Sequence, residues 1–169
     1  MENFSKKSLS LRQAHPIPPV FDENSKILIL GSFPSVMSRE NGFFYGNPQN
    51  RFWKVISTVF DQNLPQSVAE KKDFLLKNNI ALWDVIASCD IENSSDISIK
   101  NVTANDINSL LTKTKITRVF LNGKAANNYY KKYVLNLVSI PSTVLPSTSP
   151  ANAAFSVDRL IAEWKVICA

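Results

Sequence analysis

Four short apolar segments, separated by helix-type patterns, are the feature that most constrains the fold of this chain. They are residues 27–30, 80–86, 118–121 and 142–145. The first is an unbroken apolar run, as expected for a strand covered on both faces; the second is either a strand or another buried element. Strands that alternate with helices predict a parallel sheet. We therefore predict an α/β fold, a three-layer single domain with a central four-stranded parallel sheet flanked by helices.

Helix signals fill the segments between these strands. Apolar residues recur at helical spacing over 50–60, and a capping box at 67–70 opens a helix to about Lys77. Proline is favoured at the first position of a helix, so Ser149 and Pro150 predict the start of the last one. Residues 103–106, from Thr103 to Asp106, can cap a short helix to about Thr112. Residues 122–124 turn into a further helix that runs to about Tyr133.

Residues 1–24 are predicted to form an irregular N-terminal arm packed on the domain. The prolines at 16, 18 and 19 exclude a helix there, because each fixes its own φ and pushes the preceding residue towards extended geometry. A chain of 169 residues, 44% of them hydrophobic, can bury one core but is too short for two ordinary domains. We therefore expect a single domain over residues 1–169.

Composition excludes several classes of protein. Cys89 and Cys168 are too few and too far apart for a disulfide framework, a zinc site or an iron–sulfur cluster. The net charge of +5 suits an anionic partner without identifying one. No apolar run approaches the roughly 18 residues of a membrane helix, and the polar N-terminus lacks the apolar core of a signal peptide. We expect a cytoplasmic protein that binds no membrane.

Polar segments marked by glycine or proline follow the predicted strands, after Leu30, Leu82, Leu121 and Leu145. In a parallel sheet such segments meet at the carboxyl ends of the strands, where pockets form. In the first of them, residues 31–35, glycine permits close approach of the backbone, and N–H and hydroxyl groups can face a ligand. An ordinary strand-to-helix turn is the alternative for this segment.

A second segment, residues 47–53, brings an amide, a cation and two aromatic rings to the start of a helix. The side chain of Asn50 can either cap that helix or face the pocket. Phe52 and Trp53 are expected to belong to the core.

Three motifs together resemble those of the uracil-DNA glycosylase superfamily, most closely its hypoxanthine-DNA (deoxyinosine) glycosylase branch. They are Gly-Ser-Phe-Pro-Ser at 31–35, Asn-Pro-Gln-Asn-Arg-Phe-Trp at 47–53 and Leu-Pro-Ser-Thr-Ser-Pro at 145–150. The resemblance covers about residues 15–164. It implies a monofunctional DNA repair glycosylase that hydrolyses the N-glycosidic bond of deaminated bases, chiefly hypoxanthine.

Two alternatives to that function stay open. Uracil could be the main substrate instead of hypoxanthine. The domain could also bind nucleic acid or nucleotides without catalysis, because residues 31–35 lack the carboxylate or amide that the superfamily usually carries in this turn.

The resemblance also implies roles for single residues. Asn50, with Ser32 in the first turn, is the expected catalytic group and positions the attacking water. Asp84 ends the second strand, where the superfamily reads the edge of a flipped base; it is either protonated or held by backbone N–H groups, and an isolated Asp is otherwise a helix cap or a salt-bridge partner. Phe44 or Tyr45 offers a face on which the base stacks. The expected base-binding residues are Gly31, Phe33, Pro34, Ser35, Phe44, Tyr45 and Asp84.

The third loop, residues 146–153, carries hydroxyl groups and a predicted helix start, both of which bind phosphate well. Lys124 is either a phosphate contact or a solvated surface lysine. The implied partner is DNA containing a flipped damaged base, bound by a monomer with no metal and no other cofactor. The expected DNA-binding residues are Ser147, Thr148, Ser149, Pro150, Ala151, Asn152 and Lys124.

Overall fold

The computed structural model describes residues 11–92 and 96–169. The strands within them are β1 (Leu11–Ala14), β2 (Ile27–Gly31), β3 (Ile80–Asp84), β4 (Ile86–Ile91), β5 (Lys100–Ala104), β6 (Arg118–Asn122) and β7 (Ser142–Leu145). The α-helices are α1 (Val36–Asn41), α2 (Phe52–Val59), α3 (Val68–Lys77), α4 (Ile107–Thr112), α5 (Lys124–Tyr133) and α6 (Val157–Trp164).

The predicted four-stranded parallel sheet is confirmed, with the strand order β3-β2-β6-β7. Every residue of β2 is buried. Ile29 packs into a core that includes residues of α2 and α6, whereas Leu28 and Leu30 pack with α4 and α5 on the opposite face. A strand covered in this way needs apolar side chains on both faces, which is why its sequence is a continuous apolar run.

The register of the sheet brings the ends of its strands together. Gly31 at the end of β2 pairs with Asp84 at the end of β3, and Asn122 at the end of β6 pairs with Leu145 of β7. The loops that follow β2, β3, β6 and β7 therefore emerge at one edge of the sheet, where open α/β sheets bind their ligands.

A second, antiparallel sheet in the order β1-β4-β5 was not indicated by the sequence pattern. Only Val85 separates β3 from β4, so the chain passes directly from one sheet into the other. The prediction of a wholly irregular arm is also wrong, because Leu11–Ala14 forms β1 and pairs with β4. The arm then packs on the domain through Ile17 and Val20, which are buried. Its residues 1–10 lie outside the described residues.

Helix starts follow the predicted caps in two places and depart from them in a third. Ser67 Oγ accepts from the Glu70 N–H at the start of α3, and Asp106 accepts from the Ser109 N–H at the start of α4. The last helix, by contrast, does not start at Pro150, which lies in a turn. It starts at Val157, where Ser156 supplies the cap. The predicted helix N-terminus in the third loop is therefore wrong.

The helices that the structure describes include none with the length and apolar character needed to span a membrane.

Candidate active site

A cavity of about 560 Å³ opens at the carboxyl edge of the parallel sheet. All of the candidate residues named from the sequence line it, so the fold brings the three motif loops together. Asn47, the first residue of the second motif, also lines the cavity, as do Asn122 and residues of α1, which the sequence pattern did not single out. The volume falls within the range of small-ligand sites.

The side-chain oxygen of Asn50 is fully engaged at the start of α2. Its Oδ1 accepts from the Phe52 N–H at 3.0 Å and from Thr148 Oγ1 at 2.9 Å. An amide oxygen has two lone pairs, and both are used by these bonds. Asn50 Nδ2 donates to no residue in the described part of the chain. Asn50 thus caps the helix with its oxygen and keeps its NH₂ group as the donor for the cavity.

A chain of hydrogen bonds fixes this amide orientation. The Thr148 N–H donates to Asn122 Oδ1 at 3.0 Å, which leaves Asn122 Nδ2 as a donor to Thr148 Oγ1 at 3.0 Å. The hydroxyl of Thr148 must then direct its own hydrogen at Asn50. Thr148 is fully buried, so its side chain holds Asn50 and is not exposed for the predicted contact to DNA.

Arg51 binds the third loop to the start of α2. Its guanidinium donates to the carbonyl oxygens of Ser149 at 2.6 Å and Asn152 at 3.1 Å, and also to those of Thr148 and Phe155. The Ser149 and Asn152 carbonyls also accept from the N–H groups three residues later, those of Asn152 and Phe155. The segment after Pro150 therefore forms turns held by Arg51 instead of the predicted helix.

Asp84 lies at the end of β3, and each of its two carboxylate oxygens contacts a different neighbour. Its Oδ2 is 2.8 Å from His15 Nε2, and the side chains are only 6% and 2% exposed. Its Oδ1 lies so close to Gly31 that a Cβ at position 31 would collide with it. Glycine is therefore required there by the close approach of the Asp84 carboxylate. The carboxylate is held by His15, and not by the backbone N–H groups considered above.

Aromatic rings form one side of the cavity. Tyr45 stacks on Phe52 with ring centroids 4.0 Å apart, while Phe33 packs edge-on against His15. Burial raises the pKa of Tyr45, the charge of Asp84 raises it further, and a hydrogen bond from Asn122 opposes the shift. The phenol is therefore protonated at neutral pH. Phe44 is only 2% exposed, so Tyr45 and Phe33 present more surface than Phe44.

Three serine hydroxyl groups of the site differ in whether their hydrogen is used within the protein. Ser35 caps α1, accepting from the Ser38 N–H and donating to Ser38 Oγ, which leaves no hydroxyl hydrogen for its predicted base contact. Ser147 and Ser149 only accept backbone N–H bonds, from Ser149 and Ala151 respectively, and both are half-buried. Their hydroxyl hydrogens can still be donated to a phosphate.

The exposed face of the third loop consists of Pro150 and Ala151, with Asn152 half-buried behind them. Asn152 Nδ2 donates to the Ser147 carbonyl and so closes the loop. Lys124 is exposed beside the cavity, at the start of α5. Its position agrees with either of the readings that the sequence left open.

Two residues of the site escaped the sequence pattern, His15 and Asn122. Asn122 could have been found, because it is a polar residue at the end of an apolar strand, as Asp84 is. His15 carried only one signal, that of being the single histidine of the chain. Its contact with Asp84 joins residues 69 positions apart.

Among residues 11–92 and 96–169, no group of three or more His, Cys, Asp or Glu side chains is arranged to hold a metal ion. The metal-independent reaction remains a prediction for experiment.

Comparison with known proteins gives consistent results. The family model described as the uracil DNA glycosylase superfamily matches residues 18–166. A protein named hypoxanthine DNA glycosylase from Methanosarcina acetivorans is 39% identical over 152 residues, covering 89% of this chain and 94% of the relative. A protein of the same name from Methanosarcina barkeri is 34% identical over 138 residues, covering 80% of this chain and 85% of the relative.

A solved structure also resembles this chain. The solution NMR structure of a candidate uracil DNA glycosylase from Methanosarcina acetivorans superposes with a TM-score of 0.79 at 34% sequence identity. The match covers 93% of this chain and 96% of the other.

Proposed function

This chain belongs to the uracil DNA glycosylase superfamily, and from that premise we propose that it releases hypoxanthine from deoxyinosine in DNA by hydrolysing the N-glycosidic bond. The names of the two Methanosarcina relatives support hypoxanthine as the base. The base is extruded from the duplex into the cavity of about 560 Å³, because the bond to be broken cannot be reached inside a base stack.

The observation that carries the proposal is the fixed amide of Asn50. The bond breaks through an oxocarbenium-like transition state, so the incoming water needs to be positioned more than it needs to be deprotonated early. Asn50 Nδ2 donates to one lone pair of that water, and the other lone pair bonds to the sugar carbon as the bond to the base breaks. The proton that the water loses goes to the departing base. Held by Phe52 and Thr148, the amide is preorganised and does not have to reorganise during the reaction.

The other cavity groups bind the flipped nucleotide. Asp84 Oδ1 accepts the N1–H of hypoxanthine, and the ring of Tyr45 or Phe33 stacks on the base. Ser147, Ser149 and the exposed turn after them contact the phosphates on either side. The protein acts as a monomer, and no step requires a metal or an organic cofactor.

Base release from defined duplexes tests this function. Labelled duplexes that contain a single deoxyinosine, deoxyuridine or deoxyxanthosine are incubated with excess protein in EDTA, and abasic sites are then cleaved with alkali. We expect release to be fastest from the deoxyinosine duplex, with the undamaged duplex intact and EDTA without effect. Faster release from deoxyuridine would make uracil the main substrate.

Two further results would contradict the proposal. Absence of cleavage on every duplex, with binding intact, would identify a binding domain without catalysis. Loss of activity in EDTA, restored by a divalent metal, would contradict a cofactor-free reaction.

A further inference from the structure

The buried contact between His15 and Asp84 has no part in the hydrolysis derived above. Both side chains are almost completely buried, and the Nε2 to Oδ2 distance is 2.8 Å. The His15 ring also packs against Phe33 and Phe44, with centroids 5.9 and 6.0 Å away. The charge of Asp84 also acts on Tyr45. The arm thus places one polar side chain against Asp84, which lines the cavity.

A backbone contact fixes the tautomer of His15. The Ile17 N–H donates to His15 Nδ1 at 3.2 Å. Nδ1 must therefore carry a lone pair, so the hydrogen of the neutral imidazole is on Nε2. A doubly protonated ring would point an N–H group at the Ile17 N–H. The ring is neutral in this arrangement, and Nε2–H donates to Asp84 Oδ2.

The fixed tautomer decides which Asp84 oxygen meets a ligand. Oδ2 accepts from His15 and is covered by it, whereas Oδ1 lies beside Gly31, which lines the cavity. The cavity therefore receives one oriented acceptor from Asp84, its Oδ1.

We propose that His15 is a positioning residue that determines base specificity. By holding Asp84 Oδ2, it leaves Oδ1 as a single acceptor for the N1–H of hypoxanthine and excludes adenine, whose N1 carries a lone pair at the same place. The inference rests on the proposed function, in which Asp84 contacts the flipped base. Guanine shares the N1–H and O6 edge of hypoxanthine, so the pair discriminates against adenine alone.

The tautomer can be measured directly, because the chain has only one histidine. Long-range ¹H–¹⁵N NMR correlations of the free protein should show a protonated Nε2 and an unprotonated, hydrogen-bonded Nδ1. A protonated Nδ1, or a ring that averages between tautomers, would overturn the proposal without any assay of activity.

Base preference is measured by titrating free hypoxanthine and free adenine while following the backbone amide signals of Gly31, Ser32, Phe33 and Ser35. We expect the wild-type protein to prefer hypoxanthine. His15→Phe keeps an aromatic ring but removes the donor, and should reduce the preference by about 10- to 100-fold, the scale of losing one hydrogen bond to a charged group. His15→Gln, which restores an N–H donor, should recover most of it. Equal loss in both variants would refute the hydrogen-bond role.

A matched control and a second variant separate specificity from folding. Val20→Ala loosens the same arm where it pairs with Leu82, and should leave the preference unchanged. Asp84→Asn keeps His15 intact. Its amide oxygen must accept from Nε2–H, so its NH₂ group takes the place of Oδ1 and the preference should shift towards adenine. Undiminished preference for hypoxanthine in Asp84→Asn would also overturn the proposal.

Base release by the wild-type protein is assayed in parallel on a deoxyinosine duplex. If hypoxanthine binds with the predicted His15 dependence but no base is released, the proposed function fails and the specificity mechanism stands. If base is released while His15→Phe keeps full preference, the mechanism fails and the function stands.

Discussion

Thr148 Oγ1 donates a 2.9 Å hydrogen bond to Asn50 Oδ1, joining residues that lie 98 positions apart in the sequence. The same Asn50 oxygen accepts from the Phe52 N–H. Because both lone pairs of that oxygen are occupied, the cavity meets the NH₂ group of Asn50 and not its carbonyl. The reactivity of the site therefore depends on an oriented donor whose partners lie at the start of α2 and in the third loop.

Asn50→Ala removes that donor and should lower single-turnover base release by roughly 10²-fold or more, the usual scale for losing one transition-state hydrogen bond. DNA affinity should change little, since a group that acts in the transition state contributes little to ground-state binding. Release from a deoxyinosine duplex and binding by fluorescence anisotropy measure the two effects. An unchanged rate in a folded variant would reduce Asn50 to a helix cap.

Asn50→Asp is the matched control for the helix cap. A carboxylate still accepts from Phe52 and Thr148 but cannot donate, so the fold should be kept while base release falls to a similar extent. A rate at or above the wild-type rate would show that an acceptor at position 50 is sufficient, in contradiction to the donor role.

Thr148→Val removes the hydroxyl but keeps the branched shape of the side chain. Without it the Asn50 amide is held less firmly and Asn122 Nδ2 loses an acceptor. We expect base release to fall about tenfold and the free energy of unfolding to fall by about 1–2 kcal/mol. Thr148→Ser should keep both. Weaker DNA binding at an unchanged rate would instead support the phosphate contact predicted from the sequence.

The sequence was sufficient for those parts of the site that local patterns encode. Residues 31–35 follow from the end of a predicted strand and Asn50 from the resemblance of residues 47–53 to the superfamily motif, and the structure places them around one cavity. The apolar runs of β2, β3 and β6 could be recognised because these strands are buried on both faces. Strands β4 and β5 lack such runs, since half of β4 is only half-buried and β5 is largely exposed, and their pairing was therefore missed.

Long-range contacts account for the remaining departures. The proline-rich arm has no pattern that could assign His15 to Asp84, because the contact depends on how the arm folds back. Pro150 satisfies the local rule for a helix start. The segment instead forms turns, in which the Ser149 and Asn152 carbonyls accept from N–H groups three residues later and also from Arg51, nearly a hundred residues earlier in the chain.

Arg51→Lys should loosen the third loop. A lysine has three donors on one nitrogen and cannot reach four separate carbonyl groups as the guanidinium does. We expect the variant to lose about 1–3 kcal/mol of unfolding free energy, with faster amide exchange over residues 147–155. Arg39→Lys is the control, because Arg39 donates to a single carbonyl, that of Pro34. Equal effects of the two substitutions would contradict the role given to Arg51.

Ser147→Ala combined with Ser149→Ala should weaken binding to damaged and undamaged DNA alike, because hydroxyl contacts to phosphate carry no sequence information. The salt dependence of binding should stay the same, since no charge is lost. Lys124→Gln provides the contrast. If Lys124 binds a phosphate, its removal lowers the slope of log affinity against log salt concentration by about one unit. A defect confined to deoxyinosine duplexes would show that the serines read the base, and an unchanged slope for Lys124→Gln would make Lys124 a solvated surface residue.

The free energy of unfolding should fall in alkali because of two buried phenols, those of Tyr45 and Tyr130. Burial raises the pKa of both phenols in the folded state, whereas an unfolded chain loses these protons near pH 10. The folded state therefore binds more protons above about pH 10, and the free energy of unfolding falls as pH rises; below that pH the two groups cause no change. Urea unfolding between pH 7 and 11 measures the slope.

Phenylalanine at either position should flatten that slope by up to about 1.4 kcal/mol per pH unit. At pH 7 the two variants should differ. Tyr45→Phe removes an acceptor of Asn122 and should cost about 1 kcal/mol. The Tyr130 hydroxyl is buried without a hydrogen-bond partner among residues 11–92 and 96–169, so Tyr130→Phe should be neutral or slightly stabilising. An unaltered alkaline slope in Tyr45→Phe would mean that this phenol titrates as a solvated group, and its place in the cavity wall would have to be revised.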